Sequence, residues 1–211
     1  MAYLIEVDTK KLVAGVAFRV ALDALRAAWA SVADMYVEAF PVRGERLDPA
    51  SLLDIRRSLP RVPSPSTSSS EAARLVWPAS TGHWELSEVH RQLCQVGVMV
   101  EALQQVEQRH PHGAVTGLSP TQQSGLDATG TDGIGGIWAL EVFGGIAVTN
   151  NDKARKDAKV LCDKEGLSHR YFACFDDAWQ GYKSKTFAFH DLVSSGTPKV
   201  RLMTVERVAS R

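Results

Sequence analysis

The fold is decided by residues 125 to 161, which read GLDATGTDGIGGIWALEVFGGIAVTNNDKARKDAKVL. Two β-prone runs in this stretch are separated by Asp132-Gly133 and Gly135-Gly136. These dipeptides are typical of tight turns, because aspartate and glycine tolerate the backbone angles that turns require. The spacing therefore predicts a β-hairpin from Leu126 to Phe143.

The second strand of this hairpin places a carboxylate among apolar residues. Successive side chains of a strand point to opposite faces. One predicted face carries Trp138, Leu140 and Val142, and the other carries Ile137, Ala139, Glu141 and Phe143. A charge in such surroundings is costly unless it is paired or binds a metal ion. Asp127 lies on the preceding strand, where the hairpin can bring it beside Glu141, and two converging carboxylates attract a hard divalent cation.

Helices are predicted on both sides of the hairpin. Between Ser87 and His110, apolar residues recur at steps of three and four until Pro111 blocks the helix. A polar helix is predicted from about residue 152 to residue 165, ended by Gly166. Strands are predicted at residues 114–118, 126–131, 137–149, 169–175, 186–190 and 199–208. This order predicts an α/β fold with a mixed sheet.

The N-terminal part of the chain is predicted to be helical and to precede a linker. A long helix is expected from Thr9 to Pro41, and a second one from Asp48-Pro49 to Pro60. The segment PRVPSPSTSSS that follows has no apolar periodicity, which is typical of an exposed loop or linker. The expected organisation is a helical region at residues 1–59, a linker at 60–71 and an α/β domain at 72–211.

Composition limits the class of protein. The chain has 211 residues, of which 24 are basic and 24 acidic, and a net charge of zero argues against a plain DNA-coating role. Three widely spaced cysteines indicate reduced thiols, and the six histidines show no close metal-ligand spacing. No apolar run approaches the roughly 20 residues of a membrane span, and the first residues do not form a secretory signal. A cytoplasmic protein is expected.

The hairpin and its flanking elements resemble the core of the PD-(D/E)xK, or restriction-endonuclease-like, nuclease superfamily. That core runs helix, strand with Asp, hairpin, strand with (D/E)-x-K, helix and strand. Asp127 matches the first acidic position and Glu141 the second, and the resemblance covers roughly residues 85 to 180. It implies a restriction-endonuclease-like mixed sheet flanked by helices, with an N-terminal helical extension. It also implies Mg²⁺, with Mn²⁺ as a substitute, bound by Asp127, Glu141 and Glu101 of the leading helix.

One position departs from the family pattern, because the family lysine falls at Phe143 and the motif reads Glu-Val-Phe. In the family this lysine is thought to activate the attacking water and to neutralise charge on the phosphate, and phenylalanine can do neither. In some members the basic group has moved to the following helix, where Lys153 and Lys156 are the candidates. The plainer interpretation of these lysines is a solvated helix face, since acidic residues alternate with them.

The resemblance implies a divergent metal-dependent DNA endonuclease that uses Asp127, Glu141 and either Lys153 or Lys156 to hydrolyse phosphodiesters. The apolar face of the N-terminal helix would then serve a homodimer or a partner subunit. A second interpretation keeps the fold without the chemistry, as a module for DNA binding or protein assembly in a bacterial or phage system. In a third, the chain is an unrelated α+β structural protein, and the two carboxylates face solvent and pair with lysines.

Overall fold

The computed structural model describes residues 15–39, 62–63, 83–84, 86–119, 125–145, 153–183 and 200–206. The helices of this part of the chain are α1 (Phe18–Ala39), α2 (Leu86–Arg109), α3 (Lys153–Asp163) and α4 (Asp176–Lys183). The strands are β1 (Val62–Pro63), β2 (His83–Trp84), β3 (Ala114–Leu118), β4 (Ala128–Thr131), β5 (Ile137–Phe143), β6 (His169–Phe175) and β7 (Arg201–Val205). The helix predicted from Asp48, the strand at 186–190 and most of the Pro/Ser-rich segment lie outside the described residues.

A five-stranded mixed sheet forms the centre of the fold, in the order β3-β4-β5-β6-β7. The first three strands are antiparallel neighbours, and β5, β6 and β7 are parallel. The predicted hairpin is confirmed as β4 and β5. Helix α3 lies between β5 and β6 in the chain, as a connection between parallel strands requires. The short strands β1 and β2 form a separate antiparallel pair.

Helices cover both faces of the sheet. Side chains of β5 point alternately to the two faces, so alternate residues pack against different helices. Trp138, Leu140 and Val142 are buried in one core together with the apolar residues of α1 and α2. Ala139 and Phe143 are buried in a second core, which includes the buried face of α3. The predicted division of β5 into two faces is therefore confirmed, and the fold is α/β with a mixed sheet flanked by helices.

Helix α2 is the central helix of the first core. Its predicted apolar stripe is confirmed, since Leu93, Val96, Val100 and Leu103 are all buried. The helix packs against α1 on one side and against the sheet on the other. This double burial explains why its stripe is almost continuous and why polar residues within it need partners inside the protein.

Helix α1 begins later than the sequence predicts. Residues 15 to 17 are not helical, and Val16 pairs with Val115 of β3 through two backbone hydrogen bonds of 2.9 Å. A Cβ atom on Gly15 would lie 2.8 Å from the Cβ of Ala114, so only glycine allows this approach of the two backbones. The predicted start at Thr9 lies outside the described residues, but helix through residues 15–17 was a wrong expectation.

The apolar face of α1 is buried inside the chain. Its residues Phe18, Leu22 and Leu25 belong to the same core as α2 and the sheet. The Trp29 indole nitrogen, at the edge of this face, donates a hydrogen bond of 3.1 Å to the carbonyl oxygen of Leu93. Val20 and Trp29 of the same helix remain 42% and 43% exposed, so a homodimer or partner subunit stays a prediction.

Two element boundaries and one helix were not predicted. Strand β4 begins at Ala128 rather than at Leu126, and β5 ends at Phe143 within its predicted range. Helix α4 is only eight residues long, which is too short for a clear apolar periodicity. No helix in the described part of the chain is long and apolar enough to cross a membrane.

Candidate metal centre

Asp127 and Glu141 meet at one end of the β4–β5 hairpin. Ala128 pairs with Leu140 in the antiparallel register, so Asp127, one residue earlier, lies opposite Glu141. Directly opposed residues of an antiparallel pair point to the same face of the sheet. The two carboxyl groups accordingly lie close enough to share a hydrogen bond. The hairpin thus brings together the pair that the sequence predicts.

Both carboxyl groups are buried. Asp127 is 6% exposed and Glu141 is 4% exposed. The backbone N–H of Val142 donates a hydrogen bond of 2.7 Å to Oδ2 of Asp127. The side-chain amide of Gln95, on α2, donates a weaker one of 3.3 Å to Oδ1 of Asp127. The interpretation of these residues as solvent-facing strand carboxylates is therefore wrong.

Burial raises the pKa of both carboxyl groups of the pair. Loss of solvent raises the pKa of Glu141 far above its usual range, and the nearby charge of Asp127 raises it further. Loss of solvent also raises the pKa of Asp127, while the hydrogen bond from Val142 opposes that shift. Two carboxyl groups in contact cannot both ionise cheaply, so the pair retains a proton near neutral pH when no cation is bound.

Helix α3 adds a lysine and a third carboxylate. Lys153 Nζ donates a hydrogen bond of 2.6 Å to Oδ2 of Asp157, one helical turn later. The Lys153 ammonium group favours the charged forms of both Asp127 and Glu141 and so lowers their pKa. Burial raises the pKa of Asp157 itself, with Lys153 acting against that shift. The centre is therefore a group of three buried or partly buried carboxyl groups with one adjacent ammonium group.

A small pocket of about 20 Å³ lies next to partners of the pair, and neither Asp127 nor Glu141 lines it. Two cationic side chains, Arg91 of α2 and Lys153 of α3, contribute to its wall together with Gln95. The remainder of the wall comes from the end of β5 and from Gly144 and Gly145. The pocket has room for about one water molecule, and its two cationic side chains make it favourable for negative charge.

Two predicted site residues, Glu101 and Lys156, do not reach the pair. Glu101 is exposed and lines a separate groove with Arg26 and Trp29. It is six residues beyond Gln95 on α2, a rotation of roughly 240° at 3.6 residues per turn, which puts it on another face of the helix. Lys156 is exposed on α3. Phe143 is 2% exposed and packs in the second core, so the family lysine position is part of the hydrophobic interior.

Two members of the centre were not predicted as site residues. Gln95 is a polar residue on the buried face of α2. A buried amide needs an internal partner, so its position among apolar residues could have identified it as a candidate. Asp157 follows Lys153 at a spacing of four, which also fits an ordinary surface ion pair. Neither pattern identifies a partner on a distant strand, because that contact depends on tertiary packing.

Comparison of the chain with protein-family models, with curated protein sequences and with solved structures finds no match. The class of protein therefore rests on the fold and the site: an α/β domain with a buried carboxylate pair at the end of a central hairpin. A lysine on the following helix completes the arrangement.

Proposed function

We propose that the chain is a divergent restriction-endonuclease-like nuclease that hydrolyses DNA phosphodiesters with the aid of Mg²⁺. The observation that carries this proposal is the burial of Asp127 and Glu141 in contact with each other, with Lys153 beside them. Carboxyl groups in that position are unfavourable for folding, so a binding role explains them better than a structural one.

The donor atoms fit a hard cation. Asp127 and Glu141 offer carboxylate oxygens, and Mg²⁺ is commonly held by one or two carboxylates together with water and substrate phosphate. Cation binding also relieves the repulsion that now raises the pKa of Glu141. A bound divalent cation supplies Lewis acidity, which acidifies water and offsets charge on the scissile phosphate.

The order of elements supports the same class. Helix α2, strands β3 to β5, helix α3 and strand β6 follow one another as in the family pattern of helix, strands, helix and strand. Asp127 immediately precedes β4, and Glu141 lies within β5. The position of the family lysine is the main departure, and we assign its role to Lys153 of the following helix, which acts electrostatically on both carboxyl groups.

The side chains around the pair would have distinct roles. Lys153 reaches the wall of the pocket and would neutralise charge that develops on the phosphate. Arg91 lines the same pocket and would bind a non-bridging phosphate oxygen. Gln95 would orient Asp127 through its amide without touching the reacting atoms.

A binding module without catalytic activity is the alternative function. This alternative is supported by Phe143, which occupies the family lysine position and packs in the second core. Lys153 also forms a 2.6 Å ion pair with Asp157, which has to open or rotate before the ammonium group can contact a phosphate. In this alternative the chain keeps the fold and binds DNA or a protein partner.

Cleavage of supercoiled plasmid DNA tests the proposal. Wild-type protein with Mg²⁺ or Mn²⁺ should nick or linearise the plasmid, and Asp127→Asn should lower the rate at least about a hundredfold, as loss of a residue that holds a catalytic ion does. His112→Ala is a suitable control, since His112 is exposed in a turn. DNA retention in a gel-shift assay without cleavage by the wild type would instead favour the binding module.

A further inference from the structure

A second group of ligand-type side chains lies away from the carboxylate pair. Strands β4 and β5 are antiparallel, so the turn that joins them lies at the opposite end of the hairpin from Asp127 and Glu141. At that turn Asp132 meets His169 at the start of β6 and His110, which directly follows α2. One ligand atom from each of the three side chains lies within 4.8 Å of the others.

We propose that His110, Asp132 and His169 form a binding site for a Zn²⁺-type transition-metal ion, with three protein ligands and one open position. Two imidazoles and one carboxylate are donors that suit zinc and its neighbours better than magnesium. Three protein ligands and a solvent molecule complete a tetrahedral shell. This site is independent of the nuclease proposal, because it shares no residue with the carboxylate centre.

The distances fit such an ion. Nε2 of His169 lies 3.1 Å from Oδ2 of Asp132. Two ligands at about 2.0–2.1 Å from zinc and at a tetrahedral angle are roughly 3.3 Å apart. The imidazole rings of His110 and His169 have centroids 4.6 Å apart, so both can turn a nitrogen toward the same point. All separations between the three ligand atoms are at most 4.8 Å, so a small rotation of a partly exposed ring can bring them to ligand distance.

The ligands are held in place before any ion binds. Oδ1 of Asp132 accepts hydrogen bonds from the backbone N–H groups of Ile134, at 3.0 Å, and Gly136, at 2.8 Å. These bonds leave Oδ2 directed at His169. Nε2 of His110 lies 2.6 Å from the hydroxyl group of Tyr171, a buried residue of β6. Partners of this kind orient ligands in known metal sites.

The charges around His110 determine how much cation binding depends on the carboxylate of Asp132. Arg109 and Arg201 lie within electrostatic range of His110 and oppose a bound cation. Asp132 offsets part of that positive charge. We therefore expect the carboxylate to be as important for affinity as either imidazole, and Asp132→Asn to weaken binding although asparagine keeps an oxygen acceptor for the turn.

Calorimetric titration of the metal-free full-length chain with Zn²⁺ tests the site. Wild type should bind one equivalent at this site, and His169→Ala, His110→Ala and Asp132→Asn should each lower the affinity of that site at least about tenfold. His112→Ala is the matched control, because it removes an exposed imidazole two residues from His110 and should leave binding unchanged. The Asp127→Asn/Glu141→Gln double variant should also retain this binding, which separates the site from the carboxylate centre.

Co²⁺ gives an answer that does not depend on the folding of any variant. Wild type should develop the visible d–d absorption of four-coordinate cobalt with nitrogen ligands, and Zn²⁺ should displace it. Absence of this absorption in the wild type, or Zn²⁺ binding that is unchanged in folded His169→Ala and Asp132→Asn proteins, would overturn the proposal. In that case the three side chains form only a hydrogen-bonded cluster.

Discussion

Asp127 lies opposite Glu141 across the β4–β5 pair, and their two buried carboxyl groups are in contact. This contact costs folding free energy when both groups are charged. A divalent cation or a proton removes the repulsion. The stability of the protein, its metal affinity and its proposed activity are therefore linked through these two residues.

The pH dependence of stability should reflect the raised pKa values of the pair. Because the pair holds its protons more tightly in the folded than in the unfolded state, its contribution to stability is greatest below the ordinary carboxyl pKa of about 4 and falls as pH rises above it. Thermal melts of the metal-free protein should therefore show a melting temperature that falls between pH 5 and 9, since a pKa raised by one unit corresponds to ~1.4 kcal/mol. A melting temperature that rises over this range would contradict the raised values.

Glu141→Gln should stabilise the metal-free protein at neutral to alkaline pH, because it removes an ionisable group from a buried position and keeps the shape. The gain follows from the proton that folding has to supply to Glu141 above its ordinary pKa, roughly 1.4 kcal/mol per pH unit. This corresponds to about 2–4 °C in melting temperature per kcal/mol for a chain of this size. Glu101→Gln, at an exposed position on α2, should change little. Equal changes in melting temperature for the two substitutions would show that burial of Glu141 does not destabilise the protein.

Lys153→Met should strongly lower the rate of plasmid cleavage, while Lys156→Met leaves the rate largely unchanged. Lys153 lines the pocket and acts electrostatically on Asp127 and Glu141, whereas Lys156 is exposed on the same helix. We expect a loss of about 10²–10³ in rate for Lys153→Met, as for other groups that stabilise transition-state charge. If Lys156→Met proves the more damaging change, the assignment of the replacement lysine is wrong.

Gln95→Ala should weaken metal binding without removing it. Gln95 contacts Asp127 from α2, so its loss leaves Asp127 less well oriented, and the affinity should fall about 10-fold or more. Gln104→Ala, near Glu101 on another face of α2, is the control and should have no effect on affinity. Titration calorimetry with Mn²⁺ compares the two variants directly.

Gly130→Ala should destabilise the hairpin that carries the centre. A Cβ atom there would collide with the carbonyl oxygen of Ala114 and with the indole ring of Trp138. Overpacking of this kind costs about 1–3 kcal/mol, and more where backbone is involved. Gly97→Ala on α2 is a matched comparison, because the added methyl group meets nothing closer than 3.8 Å and alanine favours helix. The free energy of unfolding from chemical denaturation should be clearly lower for Gly130→Ala than for Gly97→Ala.

Local patterns account for the part of the fold that the sequence predicts correctly. The turn residues around Asp132 specify the hairpin, and alternation along β5 assigns Glu141 and Phe143 to one face. Helix α2 follows from its apolar stripe. All of these depend on residues close together in the chain, where spacing and turn chemistry decide the structure.

The remaining features depend on contacts between distant segments. The pairing of Val16 with Val115, the approach of Gln95 to Asp127, and the meeting of His110 with His169 each join parts of the chain that carry no shared local pattern. The histidines illustrate this limit, since their spacing in sequence is unlike that of a metal motif and only the sheet brings them together. The presence of a lysine near the pair was predicted, but the choice between Lys153 and Lys156 required the orientation of α3.

Calorimetric titration with Mn²⁺ tests the proposed metal centre most directly. Wild type should bind the ion, His169→Ala should bind it equally well at the carboxylate centre, and Asp127→Asn/Glu141→Gln should lose that binding. A folded wild-type protein that binds no Mn²⁺, or a double variant that binds it as wild type does, would contradict the assignment of Asp127 and Glu141 as metal ligands.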